Sequence, residues 1–209
     1  MIDLYTWTVP NGRKISIALE EMGLAYTAHG INLGKGEQKL PDYLKVNPNG
    51  KVPAIIDHDT GVRMMESGAI LLYLAQKSGK LMPTGDKYWE AMEWLMWQMG
   101  GLGPMLGQVH HYSHYNKGVS DYAEDRYRAE MDRLYGVMDE RLETREFIVD
   151  DISIVDCACF PWIARWDWQE QDLDKFPNVK RWFLMMAARP AVQRGYVVPN
   201  DSQTIPIPD

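Results

Sequence analysis

The sequence predicts an α/β unit followed by an all-α unit, and three observations carry that prediction. Apolar residues over the first ~80 positions fall alternately at strand and helix spacing, in the order βαβαββα. Residues 78–86 then carry Ser78, Gly79, Pro83 and Gly85 with little apolar periodicity. Beyond that break only helical spacing recurs: Tyr88, Met92, Leu95, Met96 and Met99 on one face, Tyr127, Met131, Leu134, Tyr135, Met138 and Leu142 on a longer one, and Val179, Trp182, Phe183 and Met186 on a third.

In order, a strand is expected at 2–7 and a helix at 12–22, where Ile15, Ala18, Leu19 and Met22 share a face and Gly23 stops the helix. A strand at 26–32 leads into the Gly34-Lys35-Gly36 loop and a short helical piece at 41–45. Asn47-Pro48-Asn49-Gly50 is dense turn chemistry before an apolar strand at 52–57. Asp59-Thr60-Gly61 turns that strand into a partner at 62–65, and a helix follows at 67–77. The expected domains are 1–78 and 87–196, with an extended tail at 197–209.

Bulk properties narrow the function. A formal net charge of −7 argues against a protein built to grip nucleic acid. No apolar run approaches the roughly 20 residues of a membrane helix, and Asp3 interrupts the first apolar stretch where a signal peptide would have none. Cys157 and Cys159 stand at i,i+2, which suits neither a disulfide framework nor a redox pair. They read as buried thiols in a reducing compartment, so a cytoplasmic location is expected. Most of the eight tryptophans and 13 methionines are expected in the core, some lining an adaptable apolar pocket.

The stretch Trp7-Thr8-Val9-Pro10-Asn11-Gly12 joins the first strand to the first helix. The amides and dipole at a helix start stabilise an anion, a thiolate included. No cysteine lies here, so a sulfur handled at this turn arrives on a small molecule.

Four stretches then carry a family resemblance: Thr8-Val9-Pro10-Asn11, the run from Asn47 through Val52-Pro53 to Ile55, Glu66-Ser67-Gly68-Ala69-Ile70, and Ser153-Ile154-Val155-Asp156. In this order, over most of the chain, they resemble a soluble glutathione S-transferase. That resemblance implies a thioredoxin-like first unit that binds glutathione and a helical second unit that holds the second substrate. Pro-Asn-Gly after the first strand, together with Gly100-Gly101-Leu102-Gly103-Pro104-Met105, is similar to the bacterial Nu class, which implies a homodimer with disulfide-reductase character.

The resemblance assigns roles residue by residue. Asn11 would donate its amide to the glutathione sulfur; the bottom-up alternative is a helix cap. The class usually carries Thr before this proline. Here Val9 stands there and Thr8 one position earlier, so Thr8 assists only if the turn points it inward. Pro53 would follow a cis bond, which exposes the Val52 backbone to pair with the ligand like an added strand; the alternative is a plain strand-starting proline. Glu66 would take the ligand ammonium and Ser67, at a helix start, the γ-glutamyl carboxylate. Gln38 and Lys51 would lie near the glycyl end. Arg126 would reach across a dimer into the partner's site, or else pair with Glu130 on its own helix.

Other residues read as structural. Ser153-x-x-Asp156 is a capping-box variant assigned to folding, and Pro161 falls inside the following helix. His110 and His114 stand at i,i+4 with no third ligand, so pocket lining or packing is expected and no metal. Tyr112, Tyr115 and Trp166 are candidate walls of a second-substrate site. Two rivals accompany disulfide reduction: glutathione conjugation or ether cleavage of aromatic electrophiles, motivated by the Trp- and Met-rich second unit, and a non-catalytic glutathione-binding regulatory protein, motivated by Val9.

Overall fold

The structure is a computed structural model and describes residues 1–208. It divides into two compact units: Met1–Met82 with Ala188–Ile205, and Pro83–Ala187 with the segment that starts at Pro206.

The first unit is a four-stranded sheet of β1 (Ile2–Thr6), β2 (Tyr26–Gly30), β3 (Ala54–Asp57) and β4 (Val62–Met65), in the order β2-β1-β3-β4. β1 and β2 are parallel, joined through α1 (Pro10–Met22); β3 is antiparallel to both β1 and β4. Short 3-10 turns and α2 (Pro41–Val46) connect β2 to β3, and α3 (Ser67–Ser78) follows β4. The expected βαβαββα order is the observed one. β1 alternates buried and half-buried residues, as a strand does when helices cover one face.

α1 is buried on far more than the expected apolar face: Arg13, Lys14, Ser16 and Ile17 are buried along with Ile15, Ala18, Leu19 and Met22. The reason is a second helical cover. α1 packs against α3 and also against α9 (Pro190–Tyr196). A Cβ on Gly195 would lie 2.6 Å from the Ile17 Cα, so only glycine permits this approach. Ser16 donates to the Gly195 carbonyl (2.7 Å), Arg13 donates to the Tyr196 carbonyl (2.9 Å) with its guanidinium over the Tyr196 ring, and Arg189 grips Glu21 through two bonds of 2.7 and 2.8 Å.

This corrects the expected boundaries. Residues 188–196 belong to the first unit, and the following segment, without helix or strand, stays with it through Ile205: Gln203 accepts from Arg13 at 2.9 Å. Charged residues reaching back some 180 positions leave no local pattern.

The second unit contains α4 (Asp86–Trp97), α5 (Gly103–Val109), α6 (Asp121–Leu142), α7 (Ile154–Ile163) and α8 (Pro177–Ala187). π-helical turns at Gln98–Leu102 and His110–Tyr115 flank α5. The core joins Met131, Leu134, Tyr135 and Met138 of α6 to Phe160, Trp182 and Phe183, with the two phenylalanines stacked at 5.4 Å. Cys157 and Cys159 are buried in α7 as thiols. α7 opens on the expected capping box: the Ser153 hydroxyl accepts from the Val155 amide (3.2 Å), and Asp156 accepts from the Ser153 amide (2.9 Å). The Asp156 carboxylate, fully buried, also takes the Ile148 amide and the Trp182 indole N–H at 3.1 and 2.9 Å.

Candidate glutathione site

Strand register brings the candidate segments to one end of the sheet. Tyr5 faces Ala54, and Ala54 faces Met65. The turn after β1, the Val52-Pro53 pair before β3 and the Glu66-Ser67 pair after β4 therefore all leave the same edge. β2 runs parallel to β1 and ends at Gly30 opposite Thr6, so the loop that carries Gln38 departs there too.

At that edge α1 starts at Pro10, two residues earlier than expected. Val9 is the N-cap residue, extended at φ −117°, and Pro10 fills the first helical position, where a missing N–H costs nothing. Asn11 is thus not the cap; it lies in the first turn. The Val9 amide is consumed by the Trp7 carbonyl (2.7 Å) in a tight turn centred on the buried Thr8. The first intrahelical bond runs from the Arg13 amide to the Val9 carbonyl (3.1 Å), so the amides of Asn11 and Gly12 precede it. Gly12 is required by crowding: a Cβ there would stand 2.4 Å from Thr6 Oγ1 and 2.5 Å from the Trp7 carbonyl oxygen.

The Val52-Pro53 bond is cis, as expected. Val52 is buried, and its N–H and C=O have no backbone partner among the described residues. β3 begins at Ala54, not at 52. Just before it, the Lys51 carbonyl accepts from the Tyr43 hydroxyl (2.5 Å) and the Asn47 amide (2.6 Å), which pins this segment while the Lys51 ammonium stays exposed. Burial pushes the Tyr43 hydroxyl pKa up to about 12, so it remains a donor at any working pH. Gln38 lies beside Gly50, and its Oε1 is buried without a protein partner among the described residues.

Glu66 caps α3 at φ 70°, a region that residues other than glycine rarely occupy. Strain of this kind concentrates at ligand sites and costs on the order of 1–3 kcal/mol. Glu66 is exposed; Ser67 is buried and accepts from the Lys14 ammonium at 3.4 Å. Sequence reasoning missed Lys14. On an amphipathic helix a lysine reads as solvated, and only the contact with α3 reveals its burial.

Arg126 lies apart, in the second unit. It is exposed on α6 and lines a cleft of about 850 Å³ with Met105, Tyr122, Tyr127 and Arg133. The alternative pairing with Glu130 is not formed: Arg133 takes both Glu130 oxygens, at 2.7 and 2.8 Å.

The histidines pack. His114 stacks on Trp168 at 4.4 Å, and His110 stacks on Trp162 at 5.7 Å. Among the candidate walls, Tyr112 stacks on Tyr127, Tyr115 meets Trp168 edge-on, and the Trp166 indole donates to the Pro206 carbonyl. Among the described residues no group of three or more His, Cys, Asp or Glu is arranged to hold a metal ion.

His110 has a defined protonation state. The Gln169 carbonyl takes the Tyr135 hydroxyl (2.6 Å), which leaves its NH2 facing His110 Nε2 (3.2 Å). That nitrogen must accept, and protonation would set donor against donor. Burial first, then the charges of Arg165 and His114, depress the His110 pKa from 6.5 to about 4. Between those values the unfolded chain binds a proton that the folded chain refuses, so stability falls as pH drops from about 6.5 toward 4, by roughly 2–3 kcal/mol. Urea midpoints taken across this range should show the loss in the wild type and a flatter profile in His110→Gln. Parallel profiles would disprove the assignment.

Comparison with known proteins gives a consistent picture. Residues 2–76 match the family model described as "Glutathione S-transferase, N-terminal domain", and residues 104–190 match "Glutathione S-transferase, C-terminal domain". The chain is 46% identical over 198 residues to the disulfide-bond oxidoreductase YfcG of Escherichia coli, covering 91% of this chain and 92% of that one. A crystal structure of a glutathione transferase from Pseudomonas putida, with one glutathione disulfide bound per subunit, superposes with a TM-score of 0.91 at 40% identity, covering 95% of this chain and 92% of that chain. Ure2p in complex with glutathione gives a TM-score of 0.86 at 32% identity, over 93% of this chain and 97% of its own.

Proposed function

Because the chain belongs to the glutathione S-transferase family, we propose that it is a glutathione-dependent disulfide-bond reductase of the Nu class, working as a cytoplasmic homodimer. The observation that carries this reading is the convergence at one sheet edge: an uncapped helix start with Asn11, an open backbone at Val52, and the Glu66-Ser67 start of α3. These are the donors and acceptors that one extended peptide bearing a thiol, a carboxylate and an ammonium requires.

In this reading glutathione lies as a strand against Val52, with two hydrogen bonds that fix its cysteinyl residue. Its sulfur meets the start of α1. There the helix dipole and the Asn11 side-chain amide favour the thiolate over the thiol. Glu66 takes the ammonium and Ser67 the γ-glutamyl carboxylate. Gln38, with its buried amide oxygen, and the exposed charge of Lys51 receive the glycyl end. Arg126, exposed beside an open cleft and without an ion pair among the described residues, suits a role in a partner subunit's site.

The chemistry follows from the bound thiolate. It attacks one sulfur of a substrate disulfide, forming a mixed disulfide and releasing the other sulfur as a thiolate. A second glutathione thiolate then attacks the glutathione sulfur of that mixed disulfide. Glutathione disulfide forms, and the second substrate thiolate leaves. The protein's own cysteines take no part, since both are buried in α7 of the other unit.

The direct test is reduction of a small-molecule disulfide with millimolar glutathione, read beside the ultraviolet absorbance of the bound thiolate. Turnover well above the uncatalysed rate, with a thiolate signal at neutral pH, supports the reading; neither one refutes it. Val9 favours a second reading, a glutathione-binding protein without turnover, because valine places no hydroxyl at the turn. Normal affinity without reduction of a disulfide or conjugation to a chloroarene would select it.

A further inference from the structure

We propose that Tyr43 and Asn47 are positioning residues for the cysteinyl segment of glutathione: they hold the Lys51 carbonyl from the α2 side, and that grip aims the Val52 N–H at the ligand. The inference rests on the reading of the site given above and extends it to two residues to which that reading gives no role.

A peptide unit is planar, and in its trans form the C=O and the N–H point in opposite directions. The Lys51–Val52 bond is trans; the cis bond lies one residue later. Whatever fixes the Lys51 carbonyl therefore also fixes the Val52 N–H, facing the other way. The Lys51 carbonyl accepts from the Tyr43 hydroxyl at 2.5 Å and from the Asn47 side-chain amide at 2.6 Å. A carbonyl oxygen has two lone pairs. Two protein donors thus engage it, and the peptide plane cannot turn without disturbing both bonds. The Val52 N–H on its far side has no backbone partner among the described residues.

Each donor has a fixed base. Tyr43 is the buried residue of α2, and its ring lies 6.1 Å from that of Tyr5, the β1 residue paired with Ala54. A phenylalanine would make the same ring contact; the hydroxyl adds the bond to Lys51. Asn47, 1% exposed, ends α2 and has all four of its polar groups engaged. Its N–H donates to the Tyr43 carbonyl (2.8 Å), its C=O accepts from the Gly50 N–H (3.0 Å), and its side-chain oxygen accepts from the Asn49 N–H (2.9 Å). Those three bonds make the turn. The fourth, from the side-chain NH2, reaches past the turn to the residue before Val52, and the turn itself does not require it. A donor already held in its bound orientation spares the complex the cost of ordering it.

The test compares two ligands. One is glutathione; the other is its analogue with a trans alkene in place of the Cys–Gly amide, which keeps the thiol, both carboxylates and the ammonium but lacks the carbonyl that the Val52 N–H would meet. Tyr43→Phe is expected to raise the glutathione Kd and KM about fivefold, with kcat at saturation within about twofold. Asn47→Ser should do the same, since a serine hydroxyl can still accept from the Asn49 N–H but is too short to reach Lys51. The analogue should bind the wild type more weakly than glutathione does, and bind both variants as it binds the wild type.

A loss confined to glutathione supports the proposal. Equal losses for both ligands, or no loss for glutathione, would overturn it while leaving the site reading intact. A labelled wild type whose Val52 amide resonance does not move on adding glutathione would instead refute the site reading itself. Either variant decides by these outcomes should the other fail to fold.

Discussion

Asn11→Ala is expected to lower glutathione-dependent disulfide reduction by about a hundredfold, the usual consequence of removing one donor aimed at a developing or resident anion. The expectation is larger here than in a site with redundant donors. Val9 offers no hydroxyl, Pro10 has no N–H, and the Val9 amide is already committed to the Trp7 carbonyl. In the proposed site the sulfur therefore depends on the Asn11 side chain and on the amides of Asn11 and Gly12, which precede the first intrahelical bond. The thiolate absorbance of bound glutathione should move to higher pH in the variant, while glutathione affinity, which the proposed site assigns mainly to Val52, Glu66 and Ser67, should change little. Val9 rather than Asn11 occupies the cap position, so the helix itself should survive. Unchanged turnover and an unchanged thiolate titration would remove Asn11 from the mechanism.

Asp156→Ala should be the most destabilising single change in the second unit, at roughly 3–5 kcal/mol. An ordinary cap is worth about 1 kcal/mol, but Asp156 does more than complete a cap. Its buried carboxylate ties the Ser153 amide and hydroxyl, the Ile148 amide and the Trp182 indole, so one side chain joins the loop before α7, the start of α7 and the face of α8. Removing it strands several buried donors at once. Burial raises the Asp156 pKa while these hydrogen bonds oppose the rise, so the carboxylate's environment is held by the network rather than by any counter-charge. Urea unfolding followed by tryptophan fluorescence measures the loss directly; a cost below about 1 kcal/mol would reduce Asp156 to a plain cap.

Legibility in the sequence followed the range of the interactions. The four strands, the Asp59-Thr60-Gly61 turn, α3 and the Ser153–Asp156 box rest on neighbours a few positions apart, and each is present in the expected order, with the first three strands shorter by one or two residues at an end. α1 was read two residues short because Pro10 fits the end of a turn as well as the first position of a helix; the choice depends on Val9 adopting an extended cap. The two π-helical turns beside α5 shift the helical period without changing the residue types, so nothing in the pattern marks them.

The candidate site was legible as a set of motifs. Its assembly at one sheet edge was not, because that follows from the pairing of Tyr5 with Ala54 and of Ala54 with Met65. Lys14 and Arg13 were invisible for the same reason. Their burial is decided by α3 and α9, and neither position departs from what a solvated helix face would carry.

The return of α9 to the flank of α1 sets a schedule for synthesis. A ribosome that has delivered the sheet and α3 has not yet delivered the segment that seals α1, since Gly195 lies 178 positions after Ile17. Until it emerges, the buried side of α1 with Arg13 and Ser16 stays open to water, and the intervening helices are made first. The half of the molecule translated earliest is therefore the half completed last, and a nascent chain stalled anywhere before Pro190 would present that open flank to chaperones and proteases.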